Sequence, residues 1–377
     1  MDEFGEKPSG PHHFLYKTQA LYIEMNSPIT KIRIVFPFTA IVNQEKIKLA
    51  LLLNAINPRI GGVLIRGAKG TGKSTTVRAL VDLLPEIETA EGCPFNCNPL
   101  DPTNMCDVCR SNTLDDNLSF SSRKMEVVEL PIGATEDRVV GTLNIERAIR
   151  EGIRALEPGI LAGSNQNVLY VDEINLLPDH ITDVILDSAA SGWNTIEREG
   201  ISVRHPSRFI LVGTMNPEEG ELRPQLLDRL ALHTEIFTIK DPNQRIDVMK
   251  LNLEYENDPI GFRERFSGEQ EKVKAKISRA KEILNDVVVP DYLYEAVARM
   301  CIALNVDGHR PDIVIIKSAR TLAAFHDRLE VEPSDILDCS YLAISHRTRN
   351  YGMDPPAPDD QVREEFERAL KFVKGNA

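Results

Sequence analysis

The chain reads as an α/β protein: a nucleotide-binding core whose parallel sheet is flanked by helices, followed by an all-helical C-terminal lid domain. Three observations predict this. An apolar strand runs through a GxxxxGK[ST] loop into a helix near residue 70. Two further buried runs, Val168-Leu169-Tyr170-Val171 and Phe209-Ile210-Leu211-Val212-Gly213-Thr214, end in polar residues where parallel strands present ligands. Beyond Lys240 the alternation of strands and helices gives way to charged helical periodicity.

Composition sets the limits within which these motifs act. The 377 residues suffice for two domains, and 42% hydrophobic with 27% charged content is ordinary for a soluble globular chain. No apolar run reaches membrane-span length and the N-terminus lacks signal-peptide features, so a cytoplasmic location is expected. The net charge of −13 disfavours nonspecific attraction to nucleic acid or anionic lipid.

Residues 1–27 read as a mobile arm, and residues 28–240 as the nucleotide-binding domain. His12 and His13 lie in the arm as an adventitious pair. Ile41 and Val42 end an apolar stretch just upstream of the loop, where they either pack in the core or lie against an adenine ring. The loop itself comprises Gly67, Lys69, Gly70, Thr71, Gly72, Lys73, Ser74 and Thr75. Its glycines let the backbone turn and approach phosphate oxygens, and the helix N-terminus behind it presents free N–H groups to anions. Lys73 supplies a cation to the β- and γ-phosphates, and the Ser74 hydroxyl suits magnesium. The helix is expected to run on through Val77, Leu80, Val81 and Leu84.

Residues 91–112 form an insertion containing Cys93, Cys97, Cys106 and Cys109. The spacing CxxxC, eight residues, CxxC could bring four thiolates onto zinc; a thiol switch, an iron–sulfur site and unliganded cysteines are the alternatives. Cys301 and Cys339 sit among apolar residues and read as core filling.

Met125 to Leu130 follows as a strand, and Leu143 to Leu156 has helical spacing inside a hairpin insertion over 143–165. The strand ending at Val171 throws Asp172 and Glu173 to its C-terminal edge, Asp172 to hold magnesium and Glu173 to polarise the attacking water. Asp179 to Ala190 is helical, and a hairpin insertion spans 193–208 with the net acidic tip Glu197-Arg198-Glu199. Asn216 ends the next strand, in place to orient water beside Glu173; Arg229 closes a helical turn. In the helical domain, 241–377, a long helix carries Val273, Ile277, Ala280 and Leu284 and is broken by Pro290. Another starts at Arg310-Pro311, and one at Pro333-Ser334-Asp335 with Ser334 as its cap.

Loop, Asp-Glu strand, Asn216, Arg229 and a helical domain bearing Arg310 together resemble an AAA+ ATPase. More narrowly, Phe36 to Gln44, Asn57 to Gly62, Val171 to Leu177 and above all Ala190 to Arg229 resemble the ATPase subunit of magnesium chelatase, with likeness from about Pro28 to Arg349. The resemblance implies ATP and Mg2+ as cofactors and a homo-oligomeric ring with ATP between neighbours. It further implies that Arg229 is a finger reaching the next subunit's γ-phosphate and that Arg310 is a sensor. The partners it implies are an adhesion-domain subunit of the D type and a large subunit that holds the tetrapyrrole. One departure stands out: photosynthetic members often carry the loop around Cys93 to Cys109 without these cysteines, so the cluster is not expected to serve ATP hydrolysis. A MoxR-type remodelling chaperone for metalloenzyme maturation, working with an adhesion-domain partner, is the alternative. A DNA helicase fits poorly, because a DNA-binding hairpin needs basic tips.

Overall fold

The computed structural model describes residues 34–114, 117–143, 156–198, 201–220, 222–347 and 357–375. The N-terminal arm with its two histidines, the interior of the 143–156 stretch, Glu199 of the hairpin tip and residues 348–356 lie outside these residues, and the tail beyond them carries the helix Asp359–Gly375.

The strands, in chain order, are β1 (Val63–Gly67), β2 (Ile87–Ala90), β3 (Phe120–Arg123), β4 (Val127–Leu130), β5 (Gly141–Leu143), β6 (Leu156–Pro158), β7 (Val168–Val171), β8 (Trp193–Arg198), β9 (Ile201–Pro206), β10 (Ile210–Met215) and β11 (Leu232–Ile236). Five of them form one sheet in the order β11-β1-β10-β7-β4, with every neighbouring pair parallel. The register aligns their C-terminal ends: Arg66 faces Met215, and Val171 faces both Gly213 and Leu130. Residues that follow β1, β7 and β10 therefore emerge side by side at one edge, the usual ligand edge of an open α/β sheet.

Alternation along each strand divides the interior in two. Val63, Ile65, Val168, Tyr170, Ile210 and Val212 join one core, and Leu64, Leu169, Val171 and Leu211 join the other. The first core is continuous with the helical segment, through Ile277, Leu293, Ile315 and Ile336. The second packs beneath the cysteine segment and the hairpins, through Phe95, Cys97, Ile196 and Val203. The long run of apolar residues in each strand is thus explained by two buried faces.

Several sequence expectations are corrected in detail. Leu143 and Leu156 lie opposite each other in the antiparallel pair β5·β6, so the helical spacing between them does not describe its ends. The loop helix is Lys73–Val81, with Leu83 and Leu84 in turns beyond it. The first helical stretch of the C-terminal segment is two helices, Pro242–Asn257 and Pro259–Ile283, because Pro259 favours a fresh first turn and Asp258 caps it at Gly261 N, 3.0 Å. The helix Pro333–Ile344 is capped by Glu332 rather than Ser334: proline takes the first helical position, and the Asp335 carboxylate accepts the Glu332 N–H at 2.8 Å. The antiparallel pair β2·β3, which brackets the cysteine segment, was not anticipated.

Candidate active site

At the aligned edge the loop after β1 turns through Gly70 and Gly72, with φ of +80° and +84°, conformations that side chains resist. A Cβ on Gly67 would lie 2.9 Å from the Ile236 carbonyl oxygen. The Lys73 side chain is only 7% exposed. A cation so deep needs partners, and its ammonium donates to the Gly67 carbonyl and lies 3.9 Å from Glu173 Oε1.

The next residue opens a relay from the loop helix across β7 to β10. Tyr170, buried in β7, donates its hydroxyl proton to Asp172 Oδ1 at 2.9 Å, and Ser74 Oγ lies 2.9 Å from the same hydroxyl. Since the phenol has one proton to give, Ser74 is the donor in that second bond. Thr214 on β10 also donates to Asp172 Oδ1, at 2.6 Å. Burial, with the Asp172 carboxylate adding to it, pushes the Tyr170 hydroxyl up to about 12, so it stays a donor. Ser74 and Asp172 offer hard oxygen ligands beside one another, a donor set that fits magnesium accompanying a nucleotide.

Glu173 sits in left-handed backbone at φ +48°, a sparsely populated state for a non-glycine residue. Its N–H donates to Thr214 Oγ1 at 3.2 Å, and its Oε2 accepts the Asn216 backbone N–H at 2.6 Å. Asn216 thus reaches Glu173 through its main chain, while its side-chain oxygen caps the turn Pro217–Glu219 at Glu218 N.

Half-buried Ile41 and Val42 line a groove of about 570 Å³ with Lys69, Gly70, Thr71, Gly72 and Thr75 of the loop, closed on the far side by Phe237 and Met249. Gln44 clips the two walls together: its Nε2 donates to Thr71 O at 2.9 Å and its Oε1 accepts from Thr76 Oγ1 at 3.2 Å.

The two predicted arginines lie elsewhere, in a second cavity of about 700 Å³ that shares no lining residue with the groove among the described residues. Arg229 Nη1 lies 2.5 Å from Asp187 and 3.6 Å from Asp183, both on the helix Asp179–Ser191. Arg310 donates to the Asp228 carbonyl at 3.1 Å. Arg59, Arg208 and Lys317 also line this cavity, which gathers five cations, with Arg229 paired to Asp183 and Asp187, Arg208 to Asp101 and Arg310 to Asp228. Beneath them Arg347, buried, ties Asp228 and Leu230 to the helical segment with bonds of 2.8 to 3.2 Å, and burial lowers its guanidinium to about 10.

Sequence reasoning had named the ligands but missed their connectors, Tyr170, Thr214, Gln44 and Arg347. Only Tyr170 left a trace, as the one aromatic in an aliphatic strand, two residues before Asp172 and hence on the same side. The four cysteines of the insertion do meet: their sulfurs all lie within 4.8 Å of one another. Hydrogen bonds from Cys106, Cys109 and Cys97 hold the Cys93 thiol far below its ordinary range, and the bonds of Cys97 to the same set push its own thiol up.

A family described as "Magnesium chelatase, subunit ChlI" matches residues 144–239, and an AAA lid domain matches 294–369. A magnesium-chelatase subunit ChlI homolog of Methanocaldococcus jannaschii is 54% identical over 89% of this chain and 92% of its own length. The ChlI subunit of Synechocystis is 51% identical over 90% and 96%. Among solved structures, a chain from the complex between subunits BchI and BchD of magnesium chelatase is 44% identical, with a TM-score of 0.51, over 89% of this chain and 100% of that one. A putative ATPase from Cytophaga hutchinsonii, 14% identical with a TM-score of 0.54, shares the fold. Among the described residues no helix is long and apolar enough to cross a membrane.

Proposed function

The chain belongs to the magnesium-chelatase ChlI family of AAA+ ATPases, and from that premise we propose that it hydrolyses ATP within a homo-oligomeric ring to drive metal insertion into a tetrapyrrole held by a partner subunit. Residues 28–240 bind the nucleotide, and residues 241–377 carry Arg310 and the rest of the lid. Ile41 and Val42 lie against the base, and the loop from Gly67 to Thr75 wraps the phosphates. Magnesium, carried with the nucleotide, neutralises phosphate charge; Ser74 and Asp172 would hold it. Lys73 binds the β- and γ-phosphates, Glu173 accepts the proton of the attacking water, and the side-chain amide of Asn216 orients that water.

One observation carries the ring: Lys73, Ser74, Asp172 and Glu173 converge in one chain, whereas Arg229 and Arg310 line a separate cation-rich cavity. Held in a cavity apart from its own chain's phosphate loop, Arg229 acts in trans as the finger on the γ-phosphate of the next subunit, and Arg310 is the sensor on the helical domain. The relative solved as a complex of BchI with BchD supports an adhesion-domain partner of the D type, and the large tetrapyrrole-binding subunit completes the assembly. We place this assembly in the cytoplasm.

The test is to express Glu173→Gln in the native cell, trap the protein with ATP and identify what co-purifies by mass spectrometry. A large chelatase subunit together with an adhesion-domain protein is the expected result. An adhesion-domain protein with some other metalloenzyme, and no chelatase subunit, would move the assignment to a maturation chaperone.

A further inference from the structure

Four cysteines that touch no part of the nucleotide groove meet at one point in the second core. Cys97, Cys106 and Cys109 are buried, Cys93 is half-buried, and all four are free thiols. Their sulfurs fall within 4.8 Å of one another, with Cys93 and Cys97 3.5 Å apart. A tetrahedral ion with metal–sulfur bonds of about 2.3 Å sets its ligands roughly 3.8 Å apart, so the cage has the dimensions of a single ion. A multi-iron cluster spreads its cysteines more widely. The backbone N–H of Cys106 donates to Cys97 Sγ at 3.1 Å, the kind of bond that orients and steadies a metal thiolate from outside its ligand shell. Asn96, at φ +46°, makes the tight reversal that returns Cys97 toward Cys93.

We propose that Cys93, Cys97, Cys106 and Cys109 bind one structural zinc ion, and that this ion holds the cysteine segment as a clasp behind the arginine cavity. Four protein ligands leave no open position, so the site is structural rather than catalytic. Contacts lead from the cage to the cavity. Phe95, between two of the ligands, stacks on His205 of β9 with ring centroids 4.8 Å apart and planes 9° from parallel. Asn165 donates to the carbonyls of Phe95 and Asn96, and its side-chain oxygen accepts the Arg208 N–H at 2.9 Å. Further along the same segment, Asp101 Oδ2 lies 2.8 Å from the Arg208 guanidinium and Thr103 O 3.1 Å. Arg208 lines the arginine cavity and lies against Gly192, where a Cβ would come within 3.0 Å of Arg208 Cγ. Gly192 ends the helix whose Asp183 and Asp187 hold Arg229.

The zinc assignment stands independently of the tetrapyrrole reading. Elemental analysis of the full-length protein, purified under reductant, is expected to give one zinc per chain. Replacement by cobalt(II) should give the intense sulfur-to-metal charge-transfer and tetrahedral bands of a four-thiolate site. Cys93→Ser, at the most accessible ligand, should weaken retention of the ion, and chelation of the unsubstituted protein should expose segment 91–112 to protease while ATP binding changes less than about twofold, since a closed structural site contributes to folding rather than to the ligand groove. No stoichiometric metal, iron in place of zinc, or a cobalt spectrum of oxygen ligands would overturn the site. Loss of ATP binding together with the metal would overturn the clasp's confinement to the cavity side.

Discussion

The phosphate-loop edge and the arginine cavity handle charge in opposite ways. At the loop, Lys73 is buried among carbonyls with Glu173 nearby, and the Asp172 carboxylate is anchored by Tyr170 and Thr214. The arrangement is organised before any ligand arrives. At the cavity, five cations gather, and Arg229 rests on Asp183 and Asp187, whose side chains are 52% and 69% exposed. Exposed pairs of this kind contribute only about 0–1 kcal/mol, so a triphosphate can displace them at little cost. Under the proposed function, the difference is that between a region organised to receive a nucleotide and one held ready to be presented to a neighbour's.

Substitutions at the two regions should therefore fail differently. The largest effect is expected for Lys73→Ala, which removes the buried cation and should abolish tight nucleotide binding, read by equilibrium binding of a fluorescent ATP analogue. Glu173→Gln should keep that binding and stop hydrolysis; normal turnover by this protein would refute the assignment of Glu173. Arg229→Ala should also leave binding intact, and lower hydrolysis by about 10³ or more, as loss of an arginine finger does. Tyr170→Phe keeps the packing and deletes one hydroxyl relay between Ser74 and Asp172. At roughly 1 kcal/mol for such a bond, the concentration of magnesium-ATP needed for half-maximal rate should rise about fivefold. An unchanged requirement would mean that the relay is incidental.

The smallest effect concerns the wall shared by the clasp and the hairpin. His205 is fully buried between Phe95 and β8, and burial depresses it below its ordinary 6.5. Its neutral form is fixed by Asn194, which donates to Nε2, and by Nδ1, which donates to the Pro206 carbonyl. The unfolded chain thus binds this proton more readily than the folded one, and stability contributed here is present above pH 6.5 and lost as pH falls below it. The loss is at most about 1.4 kcal/mol per pH unit. Melting measured from pH 7.5 to 5.5 should show a slope that His205→Asn reduces.

The two regions also differ in how far the sequence disclosed them. Gly67 to Thr75 and Asp172-Glu173 were legible because each is a contiguous motif whose chemistry depends on neighbours in sequence. The relay through Tyr170 and Thr214 was not, since it exists only once β7 and β10 pair in register. Nor was the meeting of Arg229 with Arg310, because their cavity is assembled from residues near 59, 190, 208 and 315 that share no local pattern. Cysteine spacing pointed to four candidate ligands but not to the distances at which their sulfurs meet. The helical reading of 143–156 failed at its ends because leucines at 143 and 156 suit either period, and strand pairing prevails there.

Mixing Arg229→Ala with Glu173→Gln tests the central claim most directly. Each protein alone should be nearly inactive, the first for lack of a neighbour's arginine and the second for lack of its own carboxylate. In mixed rings an Arg229→Ala subunit meets a Glu173→Gln neighbour that still carries Arg229, so hydrolysis measured across mixing ratios should rise well above the sum of the separate proteins. Activity that never exceeds that sum, at any ratio in rings verified to be mixed, would contradict an arginine acting across the subunit boundary.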